Sequence, residues 1–384
     1  MSRVPPPADT PSQPPKASAT ERPAAPTLVQ IIDCSAADLS PASFALVMAT
    51  GSVSMAVHVM GGTRLSLALF ALNGGFFVAL LGLTALRLVR HRSRAAADLR
   101  DHGAAMGFFT TVVGVCVFAI QLARLGGQPG IASAFYVVAA GLWFFVNYAV
   151  LAALITARTK PTLRRGLNGL WLLAVVGAQA VAALGGTLAP EFPLQRELLL
   201  LASLVFFLVG CMLYIPIISL IFFRLVFVRL TPAEIGWPYW IGMGAAAITT
   251  LSGAMLAEQA GDVAILASFR PFLLGFSLFF WAVGTWWIPL LVVLGIWVHV
   301  VHRTPLRYGV QVWGIVFPLG MYTLSTEQLA RAAELDLLAR IPPVSVIAAV
   351  AVWSLACAGL LRHIVGLFGG SGDIASTKDA ADDE

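Results

Sequence analysis

From residue 41 onward the chain alternates long apolar runs with short polar breaks. A helix rises 1.5 Å per residue and needs about 20 apolar residues to cross a bilayer, and most of the runs meet that length. The pattern predicts ten spans, near 41–60, 65–88, 104–123, 132–157, 167–185, 198–223, 238–257, 270–300, 308–326 and 343–366. Ser40 before Pro41 reads as an N-cap followed by proline at the first helical position. Residues 27–39 are mildly amphipathic and predict an interfacial segment. Residues 1–26, as in VPPPADTPSQPPKAS, have no apolar core of the signal-peptide kind and read as a disordered tail. The small, acidic stretch 369–384 reads the same way. The expected organisation is an N-terminal tail and interfacial segment over 1–39, a membrane domain over 40–368 and a C-terminal tail over 369–384.

Polar positions inside the runs divide the spans into two classes. Odd-numbered spans are dotted with small and hydroxyl residues: ATGSVS at Ala49–Ser54, GFFTTVVG at Gly107–Gly114, VVGAQAVAALGG around Gln179, GMGAAAITTLSGA at Gly242–Ala254 and WGIVFPLGMYTLST at Trp313–Thr326. Even-numbered spans are stretches of Leu, Val, Phe and Trp such as LLLLASLVFFLVG. Greasy helices suit lipid. Small residues allow close backbone approach and hydroxyls bond across helices, so the odd spans suit a shared interior. Thr50, Ser52, Thr110, Thr111, Gln179, Thr249, Thr250, Ser252, Thr323 and Ser325 are the candidates to line a polar axis. Neighbouring helical positions diverge by about 100°, so about half of them should face it. Gly51, Gly114, Gly244 and Gly253 thin the helices for packing.

Composition sharpens this picture. The chain is 59% hydrophobic and only 11% charged, with a mean hydropathy of +0.86, whereas a soluble domain carries about 25% charged residues. The net charge of +5 does not point to nucleic acid, because the charges sit in short loops. The loop after the second span holds Arg87, Arg90, Arg92, Arg94 and Arg100, and that after the fourth holds Arg158, Lys160, Arg164 and Arg165. With Arg224, Arg229, Arg303, Arg307 and the termini (Arg3, Lys16, Arg22, Arg362, Lys378), one side collects 18 of the 24 basic residues. The rule that cytoplasmic loops keep Lys and Arg puts both termini in the cytoplasm, with an even number of spans; the membrane is expected to be a bacterial inner membrane. The four cysteines and six histidines are scattered, and neither a metal site nor a cofactor is expected. His58, and His102 beside Asp101, lie near span ends, where interfacial anchoring is commoner than proton relay. No carboxylate falls within the middle of a span. A cation pore would use an acidic ring and a proton-coupled carrier a buried acid, so an uncharged path with a basic mouth favours anions.

The same residues resemble the tellurite-resistance / C4-dicarboxylate transporter family, which includes the plant slow anion channels and yeast malate and sulfite permeases. The likeness rests on MATGSVS in the first span, WPYWIGMGAAAIT in the seventh, WAVGTWWIPLL in the eighth and WGIVFPLGMYT in the ninth, and it covers residues 40–366. It implies an all-α integral membrane fold of ten helices, arranged as five hairpins around a central pore with the odd helices innermost. It implies a homotrimer as well. It also implies a phenylalanine gate on the ninth helix, at Phe317 before Pro318. Proline cannot donate to the carbonyl four residues back, so the helix should kink there and project the ring.

Two functions follow, a channel passing small anions such as chloride, malate or sulfite, or a secondary carrier or exporter of C4-dicarboxylate, sulfite or tellurite-type oxyanions. A membrane-embedded enzyme would need a nucleophile–base pair or metal ligands at one depth, and no convincing set is present.

Overall fold

A computed structural model describes residues 27–306 and 308–368, and among them every apolar run is helical and no strand occurs. Both expected tails, Arg307, and the charges Arg3, Lys16, Arg22 and Lys378 lie outside the described residues. Two short helices serve the loops, α4 (Arg92–Arg100) and α7 (Leu163–Gly166), and α1 (Leu28–Ala37) precedes the first hairpin. The ten long elements form five sequential hairpins: α2 (Ala45–Val59) with α3 (Thr63–Arg90), α5 (Phe109–Arg124) with α6 (Pro129–Ile155), α8 (Leu173–Leu188) with α9 (Arg196–Phe227), α10 (Ile241–Glu258) with α11 (Ala264–Ile296), and α12 (Trp313–Ala332) with α13 (Pro342–Phe368).

The small-residue members pack in a closed ring, α2 on α5, α5 on α8, α8 on α10, α10 on α12 and α12 back on α2. Burial separates the classes. The central stretches that hold α5, α8 and α10 are 72%, 100% and 89% buried, against 22%, 33%, 44%, 22% and 11% for α3, α6, α9, α11 and α13. Eight helices among the described residues are long and apolar enough to cross a membrane, rather than ten. The two that fall short are ring members. α2 has 15 residues, and α12 carries Glu327, Arg331 and a run of hydroxyls. A helix shielded from lipid by its neighbours needs neither the length nor the apolarity that acyl chains demand.

Glycine sets how closely the ring closes. A Cβ on Gly244 would stand 2.7 Å from Pro318 Cγ, and one on Gly320 would stand 2.5 Å from Ser52 Oγ. α12 is therefore seated against α10 and α2 at one level, on either side of Phe317. The first helix starts later than its sequence signal. Ser40 Oγ does accept from Ala42 N at 3.2 Å, but Pro41 begins a turn and the helix opens at Ala45. The turn is closed by three-residue bonds, Ser43 N–H to Ser40 O and Ala45 N–H to Ala42 O, both at 3.0 Å, and Thr110 Oγ1 of another hairpin lies 3.1 Å from Pro41 O. The segment expected at the interface is the helix α1, held to the end of α3 and to α4 by Asp33–Arg90 at 3.2 Å and Asp38–Arg94 at 2.6 Å.

Gly244→Ala is expected to lower the unfolding midpoint of the purified protein, since overpacking a close helix contact costs about 1–3 kcal/mol. Gly75→Ala, where a Cβ meets nothing within 4 Å, should leave it unchanged. Equal midpoints for the two variants would refute the close-approach account.

Candidate functional site

Two cavities stand at opposite ends of the ring, and each draws its walls from all five inner helices or the turns that lead into them. The smaller, about 20 Å³, lies at the end where the inner helices begin and is lined by Met48, Thr110, Leu173, Ile241, Gly314 and Phe317 among others. It adjoins a basic mouth of about 350 Å³ through shared walls at Leu170, Pro238 and Gln311. Arg164, Arg165 and Arg224 line that mouth beside a single carboxylate, Glu234. The larger cavity, about 630 Å³, lies where the inner helices end. Met55, Val117, Ile120, Leu251, Met321 and Leu324 form its apolar walls, and His58, Arg124, Thr187, Glu258, Glu327 and Arg331 its polar ones.

No residue lines both cavities, so the axis is closed between them. On α12 the closure runs only from Phe317 to Met321, about 6 Å along the helix. On the other four inner helices it spans seven to ten residues, Met48 to Met55 on α2 and Ile241 to Leu251 on α10. On α12, Phe317 is thus the basic-side wall residue farthest along the helix. It is 1% exposed, in a helix that continues through Pro318.

The hydroxyl candidates divide. Thr110 lies on a cavity wall, and it also donates to Gly107 O at 2.8 Å. Thr50, Ser52, Thr111, Gln179, Thr249, Thr250, Ser252, Thr323 and Ser325 are not among the residues lining either axial cavity. Most bond within their own helix or to a neighbour. Thr249 donates to Ala245 O at 2.7 Å, Thr250 to Ala246 O at 3.0 Å and Ser325 to Tyr322 O at 3.2 Å, the back-bond by which a buried hydroxyl satisfies itself without water. Others tie the inner ring to the outer helices: Trp353 Nε1 donates to Thr50 Oγ1 at 3.1 Å, and Thr323 meets Ser345 at 2.8 Å. Gln179 links three helices, accepting from Ser252 at 2.5 Å and donating to Phe207 O at 3.0 Å. Ser52 donates to Ala49 O at 2.8 Å and lies 3.5 Å from Phe317 O.

Sequence reasoning missed the polar wall of the large cavity. His58, Arg124, Glu258, Glu327 and Arg331 all stand in the last turns of inner helices, and only the signal "charged residue at a span end" marked them. The acids there are engaged. Gln328 donates to Glu258, Arg331 donates to Gln328 Oε1 at 2.8 Å, and Glu327 lies 3.8 Å from Arg331.

The ring thus has charged side chains around a cavity at each end, with no lining residue shared between the two axial cavities. Residues 38–361 match the family described as voltage-dependent anion channel, SLAC1. The chain belongs to that family. Its members are membrane transporters and channels for anions, and the expected likeness to anion transporters therefore holds over most of the chain. Similar proteins carry less specific names. An uncharacterized membrane protein of Mycobacterium tuberculosis is 43% identical over 172 residues, 44% of this chain and 86% of the relative. An uncharacterized transporter of Methanocaldococcus jannaschii is 24% identical over 291 residues, 74% of this chain and 82% of the relative. A second transporter of that archaeon is 22% identical over 294 residues, with the same coverage.

At the basic mouth Arg164 grips Glu234 through two nitrogens, at 2.8 and 2.9 Å. Arg224 in turn donates to Arg164 O at 2.7 Å, fixing the loop to α9. The Arg164 hydrogen bonds, helped by the Thr231 N–H, pull the Glu234 carboxyl from 4.5 down to about 2. A carboxyl held low stabilises the fold only while ionised, so its contribution is full above 4.5 and fades as pH falls toward 2. The gap in unfolding midpoint between the native protein and Glu234→Gln should therefore stay level from about pH 8 to about pH 5 and close on further acidification. A gap indifferent to acid would show that the pair carries no stability.

Proposed function

We propose that the protein carries small anions across a bacterial inner membrane along the axis of the five inner helices, with Phe317 as the occluding side chain. Membership in the anion-channel family supports the solute class. The observation that carries the gate is the position of Phe317, whose ring lines the basic-side cavity only one helical turn from Met321 on the opposite cavity. An aromatic ring at an apolar constriction blocks ions by bulk and by excluding water. Pro318 leaves Gly314 O without its usual amide donor, which lowers the cost of bending α12 beside the ring. The basic mouth, three arginines to one glutamate, suits anion capture. In this reading that mouth and both termini face the cytoplasm, a ten-helix domain spans residues 40–368, and three copies assemble as a trimer. Chloride, malate and sulfite are the first anions to try.

Phe317→Ala, reconstituted in liposomes, should raise anion flux several-fold over the native protein while eluting at the same size. Flux equal to native in a folded sample would remove Phe317 from the gate.

A specific observation favours a second reading, a coupled carrier of C4-dicarboxylate, sulfite or tellurite-type oxyanions. The large cavity holds three protonatable side chains, His58, Glu258 and Glu327, that a passive path does not need. A carrier of this kind would show saturable malate or sulfite uptake, accelerated by a proton gradient and uncoupled from it in Glu258→Gln. Flux that is linear in anion concentration and indifferent to the gradient would leave the channel reading standing alone.

A further inference from the structure

A further cavity takes no part in the axis. It measures about 440 Å³ and lies between α4 and the end of α6. Ala96, Leu99, Ala153 and Ala157 give it an apolar floor, and Arg100 and Arg158 stand on its wall. No carboxylate lines it. Of the nearby acids, Asp98 pairs with Arg87, Asp33 with Arg90 and His91, and Asp38 with Arg94, while Asp101 accepts from the Gly103 N–H at 2.7 Å and does not line the cavity. Among the described residues Arg100 and Arg158 have neither an ion pair nor a hydrogen-bonded partner, and both are exposed. Two guanidinium groups thus share one pocket without a counter-charge.

The surroundings say what kind of anion fits. The cavity opens at the end of a membrane helix whose outer face carries Phe145, Tyr148 and Ile155, 71%, 64% and 66% exposed. Phe145, Tyr148 and Ile155 follow one another at intervals of three and seven residues and so share one face of α6, which ends at Ile155, three residues before Arg158. A free phosphate would use the guanidinium forks and leave both the alanine floor and the α6 face without a role. A phospholipid uses all three. Arginine matches phosphate bidentately, the glycerol region packs on alanine, and the acyl chains run along α6. Basic pockets beside membrane helices at the interface are suited to such headgroups.

We propose that the cavity between α4 and α6 binds the phosphodiester headgroup of an anionic membrane phospholipid through Arg100 and Arg158. The site lies apart from the conduction axis. It needs only that the arginine-rich end of the bundle meet a membrane–water interface, so it stands or falls separately from the Phe317 gate.

The test is native mass spectrometry of the delipidated full chain, incubated with phosphatidylglycerol or with phosphatidylcholine of the same acyl chains. The native protein should retain phosphatidylglycerol in preference to phosphatidylcholine. Arg100→Gln/Arg158→Gln should cut that retention several-fold. Arg92→Gln/Lys160→Gln, which removes two exposed charges that do not line the cavity, should not. If the first pair fails to fold, Arg100→Lys/Arg158→Lys keeps the charge but loses the fork and should retain an intermediate amount. Excess inorganic phosphate should fail to displace the lipid. Equal losses in the two charge-removing variants would mean diffuse electrostatics, and displacement by phosphate would mean a simple anion site. A changed subunit stoichiometry with lipid retention intact would mean a contact between copies. Each of these outcomes overturns the proposal.

Discussion

Five helices that carry hydroxyls must touch one another along a common axis with no water to satisfy them, and the rest of the structure answers to that constraint. Contact demands narrow helices. Where α12 meets α10 and α2, the approach leaves no room for a Cβ on Gly244 or Gly320. Satisfaction demands local partners, and Thr249, Thr250 and Ser325 find them in carbonyls three or four residues back. Interhelical bonds in membranes are worth little individually, roughly 0.6 kcal/mol on average. The ring is therefore held chiefly by packing, with some hydroxyls satisfied inside their own helix and others, such as Ser252 on Gln179, bonding between helices.

Along the axis, the charged side chains that line a cavity stand at its two ends. The two ends differ in kind. The basic mouth is dominated by Arg164, Arg165 and Arg224, while the opposite cavity balances Arg124 and Arg331 against Glu258 and Glu327.

The outer helices solve a different problem, that of meeting lipid, and they do so with exposed Leu, Val, Phe and Trp side chains. Their arginine-rich ends are ordered by carboxylates brought from elsewhere in the chain. Asp33 and Asp38 on α1 reach residues more than fifty positions away, Arg90 and Arg94. The arginines left over after this pairing are the ones that can meet membrane phosphate.

By itself the sequence determined the membrane class, the helical runs and the division into inner and outer helices. All three are local readings of hydropathy and residue size, because a span's composition reports the solvent around it. The helix ends fell close to expectation for the same reason, while the first helix opens at Ala45 rather than at Pro41, whose carbonyl lies 3.1 Å from Thr110 Oγ1 of another hairpin. Tertiary structure alone decided where the polar atoms point. Thr250 Oγ1 lies 3.0 Å from Ala246 O in its own helix and 3.2 Å from Ser277 O on α11, and no local pattern encodes the second contact. Nor does any local pattern reveal that His58, Arg124, Glu258 and Arg331 share one cavity. Such convergence is a property of how hairpins close into a ring, set by contacts between residues far apart along the chain.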